Sequence, residues 1–131
     1  MPVTSLNSSV ITWPDLNTVH QAIQIWSDEQ VSIRDDLLYI GYFGSYARGD
    51  WGVNSDLDLI LIVESSDIPF WERALEWDVN CLPVPVDILV YTQKEWQDLI
   101  SQDGRFARMI TREAVWIYQR DITWENVGSD H

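Results

Sequence analysis

Three short apolar runs constrain the fold of this chain most. They are Leu37–Phe43 (LLYIGYF), Leu57–Val63 (LDLILIV) and residues 86–91 (VDILVY). Aliphatic, β-branched and aromatic residues favour strands, and six or seven residues is a usual strand length. We predict one strand from each run. The later half of the second is apolar enough to be buried on both faces, and the third reads as a central strand.

Segments with helical spacing lie between these runs. Residues 15–30 follow Pro14 and repeat apolar residues every three or four positions: Leu16, Val19, Ala22, Ile23 and Trp26. Further helices are predicted over 70–79, 93–101 and 106–113, with a helical turn over 45–48 and a closing strand over 114–118. This alternation predicts an α/β (α+β) protein with a small mixed sheet flanked by helices. Without repeats or a linker, residues 1–131 are expected to form one domain, with residues 1–12 loose.

The formal net charge of −13 limits the possible partners. Eight basic residues stand against 21 acidic ones, and nucleic acids are bound mainly through lysine and arginine. We therefore expect no stable, direct binding of nucleic acid. An acidic surface favours cations and basic protein partners, or it serves only to keep the protein in solution.

The cysteine content and the hydropathy indicate a cytoplasmic protein. Cys81 is the single cysteine, so an internal disulfide is excluded. No secretory signal and no apolar run long enough to cross a membrane is present. The eight tryptophans are many for a core of this size, so we expect some of them at an interface.

Two neighbouring segments carry candidate chemistry. Gly44-Ser45-Tyr46-Ala47-Arg48-Gly49 follows the first strand, where glycine lets backbone approach a ligand and serine adds a donor. Asp56 and Asp58 enter the second strand on the same face. Two adjacent carboxylates repel each other and resist burial, so a divalent cation between them is expected, with magnesium or manganese preferred by such oxygen ligands.

Asp87 is the one charged residue of the third strand. Alone it is as readily explained by a structural ion pair. If its strand lies beside that of Asp56 and Asp58, the three carboxylates form a cradle for one or two metal ions that serve phosphoryl transfer.

These motifs resemble the signature of the minimal nucleotidyltransferases of the DNA-polymerase-β-like superfamily. The resemblance covers about residues 37–91, and Asp87 matches the third aspartate of the family. It implies ATP on the Gly44–Ser45 turn, with Ser45 and backbone amides holding phosphates. It also implies two Mg²⁺ ions (or Mn²⁺) held by Asp56, Asp58 and Asp87, with Asp87 as metal ligand or proton acceptor. Arg48 would neutralise phosphate charge or brace the loop through Asp56 and Asp58.

The resemblance also suggests an acceptor. Minimal members are often paired with a HEPN-class RNase toxin, and the transferase acts as an antitoxin that places AMP on a tyrosine of that toxin. Two alternatives stay open. The first is transfer to a small hydroxylated molecule such as an aminoglycoside, and the second is a non-catalytic antitoxin that acts by occlusion.

Several other residues are expected to be structural. His20, His131 and Cys81 lack a metal-ligand pattern, and Cys81 should be a packed loop residue. Trp51 stands in the loop where many relatives have a small residue. It could stack on a nucleobase or contact a partner, but we expect it to pack over that loop. A carboxyl-terminal group of arginines either contacts the triphosphate or, as we favour, balances the acidic body of the protein: Arg105, Arg108, Arg112 and Arg120.

Overall fold

A computed structural model describes residues 13–120. The predicted loose segment 1–12, Trp124 and His131 lie outside the described residues. The elements are, in chain order, α1 (Leu16–Ile33), β1 (Leu37–Phe43), α2 (Ser45–Arg48), β2 (Leu57–Val63), a 3₁₀ helix (Phe70–Glu76), β3 (Val86–Thr92), α3 (Gln93–Gln102), α4 (Arg105–Glu113) and β4 (Val115–Gln119). The predicted strands and helices are thus confirmed, most of them to within one or two residues.

The four strands form one mixed sheet in the order β3-β2-β1-β4. β1 pairs antiparallel with β2 and with β4. β2 and β3 are parallel, and their register places Asp58 beside Asp87. The expected small mixed sheet flanked by helices is confirmed.

Helices cover both faces of this sheet because the strand side chains alternate between two cores. On one face, α1 contributes Val19, Ile23 and Trp26 to the same cluster as Leu59 and Leu61 of β2. On the opposite face, a second cluster contains Ile60 and Ile62 together with α3 and α4 residues, among them Trp96, Phe106 and Ile110. β2 is therefore buried on both faces, and the prediction for its later half is confirmed.

Helix α1 begins where the sequence indicates. The Asp15 side chain accepts a hydrogen bond from the Thr18 backbone N–H, which is a standard helix N-cap. Helix α3 begins with a capping box, in which Thr92 and Glu95 each bind the other's backbone N–H. Glu95 is also held by Arg73, a buried guanidinium that further donates to the Ile68 and Val90 carbonyls. This network fixes the 3₁₀ helix to β3 and α3.

Three predictions about this half of the chain are wrong. The segment predicted as a helix over 70–79 is a 3₁₀ helix that ends at Glu76, and its Trp71 and Leu75 are exposed. β3 is an edge strand of the described sheet, because only β2 pairs with it. Cys81 is exposed rather than packed. Apolar composition reveals that a segment needs some burial, but not which neighbours cover it.

Within residues 13–120, no helix combines the length and the apolar character needed to cross a membrane.

Candidate active site

The turn that leaves β1 has a backbone conformation that only glycine adopts easily. Gly44 has φ 81° and ψ −153°, a region essentially restricted to residues without Cβ. A Cβ built on Gly44 would stand 2.2 Å from Oδ2 of Asp58. The glycine therefore allows the start of α2 to lie directly against the Asp58 carboxylate.

Two of the predicted carboxylates, Asp58 and Asp87, are neighbours in the sheet beside this turn. Asp58 and Asp87 are register neighbours on β2 and β3, and both line a cavity of about 450 Å³ with Phe43 and Ala74. Asp56 lies one residue before β2. Asp58 is half-buried, whereas Asp56 and Asp87 are exposed. The interpretation of Asp87 as part of the same group as Asp58 is supported by this register.

The electrostatics of Asp58 follow from that arrangement. Its pKa is raised, first because burial removes water from the carboxylate, and then because Asp87 and Asp56 repel its negative charge. Glu113 adds a further repulsion, and only Arg48 opposes these effects. Burial and the neighbouring carboxylates therefore disfavour the ionised form of Asp58, and a further cation beside it would stabilise that form.

Glu113, the last residue of α4, is the site residue that sequence reasoning missed. Its carboxylate accepts a hydrogen bond from the Gly44 backbone N–H at 2.7 Å and one from Arg48 Nη1 at 3.3 Å. Its side chain is only 11% exposed. Nothing in the sequence points to it, because it lies 69 residues from Gly44 and no motif contains it.

Glu113 also changes the expected role of the turn. The Gly44 amide already has an acceptor, so of the backbone amides proposed for phosphate binding this one is occupied in the structure. Ser45 is half-buried, and its hydroxyl has no hydrogen-bond partner among residues 13–120. Arg48 binds Asp50 as well as Glu113. It braces the loop through these two acids and not through Asp56 or Asp58.

Carboxylate oxygens that lack a cation fit a hard divalent metal ion. The negative charges of Asp87 and Asp56 contribute to the raised pKa of Asp58. As they stand, however, no group of three or more Asp, Glu, His or Cys side chains in the described part of the chain is close enough to hold a metal. The donor chemistry fits Mg²⁺ or Mn²⁺, and the side chains would have to turn towards each other.

The remaining candidates have structural surroundings. Trp51 stacks on Tyr46 with ring centroids 5.7 Å apart, so the expectation that it packs over the loop is confirmed. His20 Nδ1 lies 3.0 Å from the Tyr42 hydroxyl. Arg108 binds Asp103 and Arg120 binds Glu64, as expected for arginines that balance acidic charge. Arg105 and Arg112 line an open depression on α4 with Arg108.

Comparison with known proteins agrees with this geometry at the level of fold. A crystal structure of a Sulfolobus solfataricus protein assigned as a nucleotidyltransferase superposes with a TM-score of 0.58 at 19% identity, covering 81% of this chain and 85% of that one. Weaker likenesses include a toxin–antitoxin with AMP-PNP, with a TM-score of 0.45 at 17% identity over 78% of this chain and 74% of that one. Another is a mutant of the toxin–antitoxin MntA–HpeT, with a TM-score of 0.42 at 22% identity over 66% and 63%.

No curated protein matches the chain. The family model described as a nucleotidyltransferase domain matches residues 28–117, a span that contains the Gly44 turn, Asp56, Asp58, Asp87 and Glu113. Domains of this family generally use divalent metal ions. The chain therefore belongs to the nucleotidyltransferase domain family.

Proposed function

We propose that this protein is a metal-dependent nucleotidyltransferase that moves AMP from ATP to a tyrosine hydroxyl of a HEPN-class toxin, and so acts as an antitoxin. The observation that carries the enzymatic part is the approach of Gly44 to Asp58, with Asp87 in register beside it. A Cβ at residue 44 would force the Asp58 carboxylate to move. A turn with a purely structural role would gain no stability from placing its backbone against a half-buried carboxylate whose charge is repelled by neighbouring carboxylates.

Each site residue has a role in this proposal. Asp56, Asp58 and Asp87 hold the metal ions, and Asp87 is also the candidate acceptor of the tyrosine proton. Ser45 donates its hydroxyl to a phosphate oxygen. Arg48 exchanges a carboxylate partner for phosphate when the nucleotide binds. The metal ions, when bound, neutralise the charge of the triphosphate and lower the pKa of the attacking hydroxyl.

The balance of the reaction is simple. The tyrosine oxygen forms a bond to the α-phosphorus of ATP while the bond from that phosphorus to the bridging oxygen breaks. Pyrophosphate leaves, and the tyrosine proton passes to a base or to water. Exposed Asp87 is accessible for this proton, and its carboxylate lies on the strand next to Asp58.

The acceptor is proposed from charge and from the resemblance described above. A net charge of −13 favours a basic protein over RNA or DNA. Aminoglycosides are also cationic, so a small-molecule acceptor is the competing outcome of the experiment.

The test is transfer of label from each α-³²P-labelled nucleoside triphosphate, with Mg²⁺, to a candidate HEPN-class protein. The site variant is Asp56→Asn/Asp58→Asn. Its matched control is Asp28→Asn/Glu29→Gln, which removes the same two charges from an exposed part of α1. We expect ATP to label the partner, and the site variant to lose at least about a hundredfold in rate, as expected when metal ligands worth a few kcal/mol are removed.

Three other outcomes would change the proposal. Label on an aminoglycoside and none on protein would move the acceptor to a small molecule. Complete neutralisation of the toxin by the site variant would support occlusion without catalysis. Failure of ATP to bind with Mg²⁺ would remove the enzymatic function altogether.

A further inference from the structure

The 3₁₀ helix separates the candidate active site from a second depression. This groove, of about 360 Å³, lies between the 3₁₀ helix, β3 and α3, and it is lined by Phe70, Tyr91, Glu95, Asp98, Leu99 and Gln102. Its floor is apolar, since Phe70 packs on Tyr91 with ring centroids 5.1 Å apart. Its rim carries two carboxylates of α3, those of Glu95 and Asp98. We call it the Phe70 groove.

Residues of the 3₁₀ helix face both depressions. Side chains three residues apart lie on the same side of such a helix. Phe70 and Arg73 therefore face β3 and α3, where their contacts are. Trp71 shares a side with Ala74, and Ala74 lines the cavity that contains Asp58 and Asp87. Trp71 thus stands on the side of the helix that borders the catalytic carboxylates.

The large apolar side chains of this helix are unusually exposed to solvent. Trp71 is 78% exposed and Leu75 84% exposed, next to Phe70 at 37%. Such a group of large apolar side chains in one short segment is typical of a surface that a partner covers, and tryptophan is a frequent anchor of protein interfaces. Because the helix is fixed by the buried Arg73 network, these side chains are held on a rigid support.

Charge selects the class of partner. Residues 64–102, which include this helix and the Phe70 groove, contain eight acidic and two basic residues. Membrane surfaces and nucleic acids are anionic and would be repelled. A second copy of this chain would bring a further net charge of −13. A basic polypeptide with apolar side chains could cover the exposed aromatic surface with those side chains and pair its positive charges with the surrounding carboxylates.

We infer that Trp71, Leu75 and the Phe70 groove form the docking surface for a basic acceptor polypeptide, which is held there with its hydroxyl beside Asp58 and Asp87. This inference rests on the proposed function, since it names the surface through which that site receives its acceptor. It assigns to Trp71 the interface role expected for part of the tryptophan content.

The test separates docking from chemistry by measuring two binding constants. Isothermal titration gives the Kd for the candidate HEPN-class protein without nucleotide, and separately the Kd for ATP with Mg²⁺. The variant is Trp71→Ala/Leu75→Ala. The matched control is Ile25→Ala on α1, where the side chain is 64% exposed. We expect the double variant to weaken partner binding at least about tenfold, as for the loss of an interface anchor, with the Kd for ATP and the urea midpoint unchanged.

Higher ionic strength should weaken binding of the wild-type protein to the partner, because the surface is acidic. Several results would overturn the inference. Unchanged partner affinity in the double variant would exclude this surface. Weakened ATP binding would make Trp71 a support for the nucleobase, and a lowered urea midpoint would show that the chain itself covers the patch. If the wild type binds ATP with Mg²⁺ but not the basic partner, the docking inference fails while the chemistry of the site stands.

Discussion

Replacement of Gly44 by alanine tests whether the turn exists to serve Asp58. Two costs are expected. The first is backbone strain at φ 81° and ψ −153°, about 1–3 kcal/mol for a residue with Cβ in a glycine-only region. The second is the new Cβ, 2.2 Å from Asp58 Oδ2, which forces the carboxylate to move. Because a side chain can rotate, we expect this second cost to appear mainly as lost activity.

Gly49→Ala is the matched control. Gly49 has φ 85° and ψ 9°, and a Cβ there would meet no atom within 4 Å. It should lose about 1–2 kcal/mol from the left-handed backbone alone and keep its metal-dependent affinity for ATP.

The assays are urea unfolding, for the free energy of unfolding, and titration of ATP with Mg²⁺ at a temperature where both variants are folded. Domains of this size are usually stable by about 5–15 kcal/mol, so neither change should prevent folding. We expect Gly44→Ala to weaken ATP binding or label transfer at least about a hundredfold beyond Gly49→Ala, which corresponds to about 2.7 kcal/mol. Equal ATP affinity and equal activity in the two variants would refute the reasoning.

Three further predictions concern single side chains. Glu113→Ala should lower the free energy of unfolding by about 2 kcal/mol, the usual value for a hydrogen bond to a charged group, and Glu113→Gln by less, since the amide oxygen can still accept from Gly44. Asp58→Asn should stabilise the metal-free protein by about 1 kcal/mol near neutral pH, as relief of a strained functional residue commonly does. Arg73→Ala should cost about 2–3 kcal/mol, because it leaves the Val90 and Ile68 carbonyls without a donor, although the partner Glu95 side chain is 42% exposed.

Urea unfolding checks all three. Equal losses for Glu113→Ala and Glu113→Gln would contradict the hydrogen bond to Gly44. The pKa of Asp58 is raised by folding, so its contribution to stability is fully present below its unfolded pKa of about 3.8 and is lost as pH rises through the folded pKa. The gain from Asp58→Asn should therefore disappear in acid. Arg108→Ala, which breaks an exposed pair with Asp103, should cost under about 1 kcal/mol and serves as the control for Arg73.

Much of the fold could be predicted because the local pattern and the final structure agree. β1 and β2 have the predicted bounds, and α1 begins at the Asp15 cap beside the predicted start. The sequence predicts a helix over 70–79, but its 3₁₀ geometry and its end at Glu76 could not be predicted. Its apolar residues have the spacing of a packed helix, yet Trp71 and Leu75 are exposed, because no part of the described chain packs over them.

The residues of the candidate site also differ in how far the sequence could predict them. Gly44, Ser45, Asp56 and Asp58 lie close together in the chain, so they could be proposed as a site from their spacing alone. Asp87 needed the assumption that two strands are neighbours, and the parallel register of β2 and β3 bears it out. Whether these residues bind metal and nucleotide stays a prediction that the variants above test.

The sequence by itself determined the order of strands and helices, the strong negative charge and the group of candidate site residues. These properties depend on side chains near each other in the chain, and local backbone preference is enough to express them. Only the tertiary structure decided that β3 is an edge strand of the described sheet, that Glu113 binds the Gly44 amide and that Trp71 is exposed. Each of these depends on which distant segments meet, and this is set by packing of the whole chain rather than by any local pattern.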